Sequence, residues 1–166
     1  MIIGRELLRQ LYSNLKEEQY QPSGIDLTLK SISSFKHNDG TVYGLLKDGK
    51  VLPNLQECSS KTVLVAGMPK KVYTLDPHEI YIATTNEKIK IPDDAGQLYL
   101  PRSSLLRAGI DVRTAFGDPG FNGHLSFLII NHTDQVFTLE QDVRFAQLVH
   151  FGVVGVDAGY DGDYNE

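Results

Sequence analysis

The run Ile25-Asp26-Leu27-Thr28-Leu29-Lys30-Ser31-Ile32 alternates with period two, and that period belongs to an extended strand with one apolar and one polar face. Working outward, further short strands read at Thr62–Val65, Lys71–Leu75, Glu79–Ala83, Lys88–Ile91, Gln97–Leu100, Leu125–Ile130, Val136–Leu139 and Phe145–Val154. Asn38-Asp39-Gly40 and Lys47-Asp48-Gly49 are turn signals between strand-like residues. Turn chemistry recurs every eight to twelve residues, which predicts an all-β chain with a mostly antiparallel sheet in a barrel or jelly-roll-like sandwich. Two interruptions are helical. Leu7, Leu8, Leu11 and Leu15 mark an amphipathic helix over residues 4–15. Pro101-Arg102-Ser103-Ser104-Leu105-Leu106-Arg107-Ala108-Gly109 reads as a short internal helix, with a serine as N-cap, two leucines for the core and a glycine to end it.

Composition bounds the function. The 166 residues are 41% hydrophobic, 22% charged and 9% aromatic, the profile of one globular domain without a linker or internal repeat. A chain of this size keeps roughly 8,200 Å² exposed of roughly 27,000 Å² unfolded, enough burial to hold a core without staples. The net charge is −5 and no basic run exceeds Lys70-Lys71, so a face for a nucleic-acid polymer is not expected. A phosphate would have to be held by a few placed cations, backbone amides or a metal. The single cysteine, Cys58, excludes an internal disulfide framework and fits a reducing, cytoplasmic setting. No stretch reaches the ~20 apolar residues of a membrane span, and no leader is read before the charge at Arg5.

Five segments could carry chemistry. The start of the 103–107 helix would set unpaired amides beside Arg102, Ser103 and Ser104, a seat for phosphate; the plain alternative is a capped surface helix with Arg102 and Arg107 in solvent. Asp118 precedes Pro119, which confines it to extended backbone ahead of a glycine turn. A carboxylate held that way can activate water, or it can simply open an Asp-Pro-Gly turn. Phe121, between Gly120 and Gly123, could stack on a sugar or base or belong to the core. Asp26 interrupts its strand just after Gln21-Pro22-Ser23-Gly24 and could face solvent or reach a hydrated Mg²⁺. Gln147, in Asp142-Val143-Arg144-Phe145-Ala146-Gln147-Leu148, can donate and accept at once. The tail from Gly159 to Glu166 carries Tyr160 and Tyr164, and a mobile aromatic tail can act as a lid.

In this order, PSGIDL, LPRSSLLRAG, DPGFNG and RFAQL resemble the motifs of the dUTPase and dCTP deaminase superfamily, above all the archaeal-type dUTPases. The resemblance runs from Gln21 to the end of the sequence. It implies a distorted jelly-roll or β-clip barrel spanning residues 1–166 as a single domain, with residues 1–19 as an N-terminal helix and 157–166 as a lid tail. It implies hydrolysis of dUTP to dUMP and pyrophosphate with Mg²⁺, in a homotrimer whose sites are shared between subunits. Carried over residue by residue, Asp118 would activate water, Arg102 and Ser103 would grip the triphosphate, and Asp26 would contact the metal through water. Ser104 and Arg107 would bind substrate, Gln147 would fix a phosphate oxygen or the water, Phe121 would pack on the deoxyribose, and the hairpin from Gly117 through Gly120 to Gly123 would read uracil. Tyr160 and Tyr164 would close the site.

The superfamily also contains deaminases, in which a Glu after the Asp-Pro-Gly turn shuttles protons. Laid on Asp118-Pro119-Gly120 and Asn131, that position is Leu128, which can neither take nor give a proton. A dCTP deaminase and a non-catalytic nucleotide-binding regulator are the competing implications. Three departures stand out: Phe121 where most dUTPases carry Tyr, His124 where a basic residue is frequent, and a tail with no arginine for the γ-phosphate. If His124 contacts substrate, phosphate affinity would fall as pH rises.

Overall fold

The computed structural model describes residues 1–166. In chain order the elements are α1 (Arg5–Leu11), a 3₁₀ turn (Glu17–Gln19), β1 (Tyr20–Gln21), β2 (Gly24–Lys36), β3 (Gly44–Leu46), β4 (Gly49–Val51), β5 (Asn54–Glu57), β6 (Lys61–Val65), β7 (Met68–Leu75), β8 (Ile80–Lys90) and β9 (Ala95–Pro101). There follow α2 (Ser103–Arg107), β10 (Ile110–Arg113), β11 (Asn122–Asn131), β12 (Phe137–Glu140) and β13 (Arg144–Gly152).

The alternating run that opened the sequence reading is the first half of β2, and β2 organises the rest. Over Ile25–Thr28 it pairs with β13, and over Leu29–Ser34 with β8. All pairings are antiparallel, in the order β10-β11-β8-β2-β13-β9, with β12-β7-β6 as a second sheet and β3-β4 as a separate hairpin. The expected all-β, barrel-like jelly roll is therefore what forms. Its inward residues make one cluster, in which Leu27, Leu29, Ile129, Phe145 and Leu148 are fully shielded. Burying an aromatic such as Phe145 contributes roughly 3 kcal/mol, so alternation in β2, β11 and β13 is what the sheet is built on.

Several local expectations are corrected. The first helix stops at Leu11 instead of running to residue 15, and only Leu8 of its leucines is buried. Tyr12 leaves the helical region (φ −129°, ψ 60°), and its carbonyl accepts from the Tyr20 hydroxyl in place of a further helical amide. In α2 the N-cap is Arg102, with no side-chain cap bond, so neither serine caps. Ser103 and Ser104 are exposed on the first turn; Leu105 is core, whereas Leu106 is 55% exposed. The strands read at 79–83 and 88–91 are one strand, β8, because Thr85 and Glu87 are buried polar residues whose hydrogen bonds are met inside the sheet. Residues 122–124 extend β11 where a hairpin loop was expected.

The accessible surface is 10297 Å², well above the roughly 8,200 Å² of a compact monomer of this mass. Large apolar side chains are exposed on the β3–β4 and β6–β7 hairpins, at Leu45, Leu46 and Leu64, and on β9, at Leu98 and Leu100.

Gly24 fixes how closely β2 approaches β13, since a Cβ there would lie 2.5 Å from the Leu148 carbonyl, whereas one at Gly44 would meet nothing. Gly24→Ala is expected to lower the free energy of unfolding by about 1–3 kcal/mol and Gly44→Ala to change it far less. Urea midpoints test this, and equal midpoints would contradict it.

Candidate active site

The candidate residues fall into two groups. The first lines a cavity of about 600 Å³ formed by Tyr99, residues 115–118, Phe121, residues 124–127 and the segment from Tyr160 to Glu166. Asp118 is exposed on its wall. Its backbone is set by the neighbouring Gly117, which exchanges hydrogen bonds with Gln97 (Gly117 N to Gln97 O 2.9 Å, Gln97 N to Gly117 O 3.0 Å). Glycine is required there: a Cβ on Gly117 would lie on the Tyr99 hydroxyl and within 2.9 Å of Gln97 Cβ. After Pro119, Gly120 takes φ +83°, a left-handed turn suited to glycine, and a Cβ there would meet the Tyr160 amide at 2.9 Å. Phe121 sits edge-on to Tyr160 with centroids 5.8 Å apart. Gly123 leaves room for the Phe121 ring and the Tyr164 carbonyl.

Behind Asp118 runs a buried polar chain that the sequence reading did not find. Tyr99 donates to Gln97 Oε1 (2.7 Å), Gln97 Nε2 donates to the Tyr12 hydroxyl (2.6 Å), and Tyr12 lies 3.1 Å from His150 Nδ1. Burial pushes the Tyr12 hydroxyl up to about 12 and holds His150 below the usual imidazole value. Tyr12, Gln97 and His150 thus share one buried hydrogen-bonded cluster. Burial also raises Tyr99.

The second group surrounds Asp26, which is 3% exposed on β2. Its Oδ2 lies 3.3 Å from Arg144 Nη1 and 3.9 Å from Arg102 Nε. Burial raises the Asp26 carboxyl above its ordinary value, and the two guanidiniums oppose that rise. Gln147 stands opposite Asp26 across the β2–β13 ladder and opposite Leu100 on the β9 side. Arg144 was not singled out from the sequence. It lies three positions before Gln147, with two residues between them, which in a regular strand puts the two on opposite faces. A bulge between Arg144 and Ala146 brings both to the same face.

The backbone under Asp26 is pinned by a buried carboxylate, also unforeseen. Gln19 Nε2 donates to the Asp26 carbonyl (2.9 Å) and to Glu87 Oε1 (2.7 Å), while Thr28 donates to Glu87 through its amide (2.9 Å) and hydroxyl (2.6 Å). Ser103, Ser104 and Arg107 lie on α2, just beyond Arg102.

Within one chain the two groups do not meet. Gly117 is bridged to Gln97, and Arg102 follows Pro101 at the other end of β9. Five strand steps at about 3.3 Å separate them, roughly 16 Å. No residue around Asp26 lines the cavity. Leu128 is half-buried on β11 across from Ile82 and Arg113 and is also outside it. His124 lines the cavity but its Nδ1–H is committed to the Thr85 carbonyl at 3.0 Å. No cluster of three metal-type side chains occurs. One carboxylate between two arginines fits a hydrated hard cation carried mainly by phosphate oxygens and water, with Asp26 as an outer contact.

Residues 4–153 match the dCTP deaminase-like family. The chain is 38% identical over 166 residues to the Probable deoxyuridine 5′-triphosphate nucleotidohydrolase of Methanothermobacter thermautotrophicus, covering 100% of both. It is 33% identical over 167 residues to the Deoxyuridine 5′-triphosphate nucleotidohydrolase of Methanocaldococcus jannaschii, covering 99% of this chain and 98% of that one. Among solved structures, the 2′-deoxycytidine 5′-triphosphate deaminase of Agrobacterium tumefaciens superposes with a TM-score of 0.66 at 19% identity, over 90% of this chain and 47% of that chain. This chain thus spans about half the length of that solved chain, and the likeness is one of fold. With relatives matched from end to end and a family match over residues 4–153, the chain belongs to the dCTP deaminase-like family.

Proposed function

We propose that the protein hydrolyses dUTP to dUMP and pyrophosphate, with Mg²⁺, in a cytoplasmic homotrimer that joins the Asp118 cavity of one subunit to the Asp26–Arg102 cradle of another. The observation that carries this reading is that the cavity holding Asp118 and Phe121 is lined by no residue of the Asp26–Arg102–Arg144 group, so one chain keeps a carboxylate with a sugar-sized aromatic apart from a candidate phosphate-binding set. Surface in excess of a compact monomer, with Leu98 and Leu100 exposed next to the cradle, supports assembly. The names of the relatives support the substrate.

In this reading Asp118 takes a proton from water as its oxygen attacks the α-phosphorus. The bond from the α-phosphorus to the bridging oxygen breaks, and pyrophosphate leaves with the electron pair. Arg102 and the Ser103 and Ser104 hydroxyls hold the departing charge, and Arg107 and Gln147 fix phosphate oxygens. Asp26 would be the outer contact for a hydrated Mg²⁺, which would supply charge neutralisation of the triphosphate. Phe121 packs on the deoxyribose, the Gly117–Gly123 segment reads the base, and Tyr160 and Tyr164 cover it. Leu128 argues against deamination, because no proton shuttle stands at that position.

Three outcomes are expected. Offered dUTP, dCTP, dTTP and UTP in parallel, the enzyme should release pyrophosphate from dUTP and no ammonia from dCTP. Asp118→Asn should reduce turnover at least about 100-fold while nucleotide still binds; ammonia from dCTP, or binding without any pyrophosphate from the native chain, would overturn the assignment.

Asp118→Asn and Arg102→Ala should each keep no more than about 1% of native activity alone. Unfolded together and refolded in equal amounts, they should recover about one quarter of native activity, because random assembly restores one shared site in four. No recovery would contradict the shared site.

Asp26→Asn should lower turnover about 10- to 100-fold without loss of stability at pH 7. Since the folded Asp26 carboxyl is raised above 3.8, folding takes up a proton. That stabilisation is present below about pH 3.8 and lost as pH rises through the folded value, leaving a buried charge at neutral pH that Asn removes. A urea midpoint at pH 7 clearly below native would count against this.

A further inference from the structure

β11 pairs with β8 along one edge, and β10 covers its other edge only from Leu128 onward. On the uncovered stretch, alternate residues point their backbone groups the same way. Asn122 N–H, Asn122 C=O and His124 N–H therefore form a donor, acceptor, donor row.

The 160–166 segment meets that row group for group. Asn165 Oδ1 accepts from Asn122 N–H at 2.9 Å, Glu166 N–H donates to Asn122 C=O at 2.9 Å, and Glu166 Oε1 accepts from His124 N–H at 3.2 Å. It thus presents acceptor, donor, acceptor. Carbonyl, imino N–H and carbonyl follow in that same order on the pairing edge of uracil, whereas cytosine presents amino donor, ring acceptor and carbonyl. Other contacts hold the segment there. Tyr160 N–H donates to the Pro119 carbonyl at 2.7 Å, and Lys50 binds Asp163 at 2.6 Å and covers the Tyr164 ring at 4.8 Å.

We propose that Asn165 and Glu166 are a built-in competitor for the nucleobase, holding the row that an imide base reads, so that nucleotide binds by exchanging with them. This rests on reading the Asp118 cavity as the nucleotide site. The segment is tethered, so it competes at an effective concentration in the millimolar range, and the apparent affinity for nucleotide falls by the fraction of chains left open. The exchange also discriminates. A uracil replaces all three hydrogen bonds, whereas a cytosine sets donor against donor and acceptor against acceptor at two positions.

The test pairs Asn165→Ala with Glu166→Pro, which together remove the amide acceptor, the N–H donor and the carboxylate and leave Tyr160 and Tyr164 in place. Hydrogen exchange at the Asn122 and His124 amides, the Kd of dUMP by calorimetry, and kcat and KM for dUTP are measured on the native chain, the double variant and Glu166→Gln. In the double variant both amides should exchange faster, and the Kd of dUMP and the KM of dUTP should fall about tenfold. Glu166→Gln keeps a carbonyl acceptor and the N–H and should resemble the native chain. An unchanged Kd for dUMP overturns the competitor, with or without faster exchange; if dUTP is still hydrolysed, the hydrolytic reading stands. Tighter dUMP binding with no hydrolysis in any chain retains the competitor and removes the hydrolytic reading.

Discussion

A carboxylate shut away from water between two guanidiniums is the constraint around which this domain is arranged. Asp26 sits in β2 at 3% exposure, and a charge so placed is costly unless cations and dipoles face it. Arg102 comes from the turn after β9 and Arg144 from the bulged start of β13, so β13 beside β2 and β9 beyond it must both be in register for the charge to be met. Glu87 and Gln19 hold the strand from beneath. The close approach of β2 and β13 at Gly24 belongs to the same construction. Apolar packing of similar volume is often at least as stable as a buried ion pair, and a carboxylate kept in such a setting is what supports the proposed role of Asp26.

The wall of the cavity at Asp118 is held by different physics. Asp118 is exposed, and it is placed by its backbone: proline after it, a glycine before it bridged to Gln97, and the aromatic hydroxyl of Tyr99 against that glycine. The polar chain from Tyr99 through Gln97 and Tyr12 to His150 links this wall to the end of α1. The first helix thereby does more than cover apolar surface. It ends where it does because Tyr12 turns inward to complete that chain.

Much of this is legible in the sequence, for reasons that differ by residue. Alternation finds β2, β11 and β13, and proline and glycine locate Asp118 and Gly120, because those signals act over a few bonds. Arg144 is hidden because a bulge undoes the parity on which a face is assigned. Glu87 and Thr85 read as a break between two strands, since nothing local reveals that Gln19, Thr28 and the β11 amide at Leu125 will satisfy them. The serines of α2 look like caps, yet the chain reaches the helix with Arg102 in that position. What escapes prediction is set by partners distant along the chain, above all the pairing of the last residues with Asn122 and His124.

The irregularity in β13 also bears on how such sites are found by comparing sequences. Arg144 and Gln147 share a face only because the strand carries one residue more than its partner. A homologue lacking that extra residue would run straight and still present its arginine and glutamine side by side. The two spacings, with two residues between the pair or with one, would be geometric equivalents, and a search pattern with a rigid interval would pass over chains that place the same two side chains together.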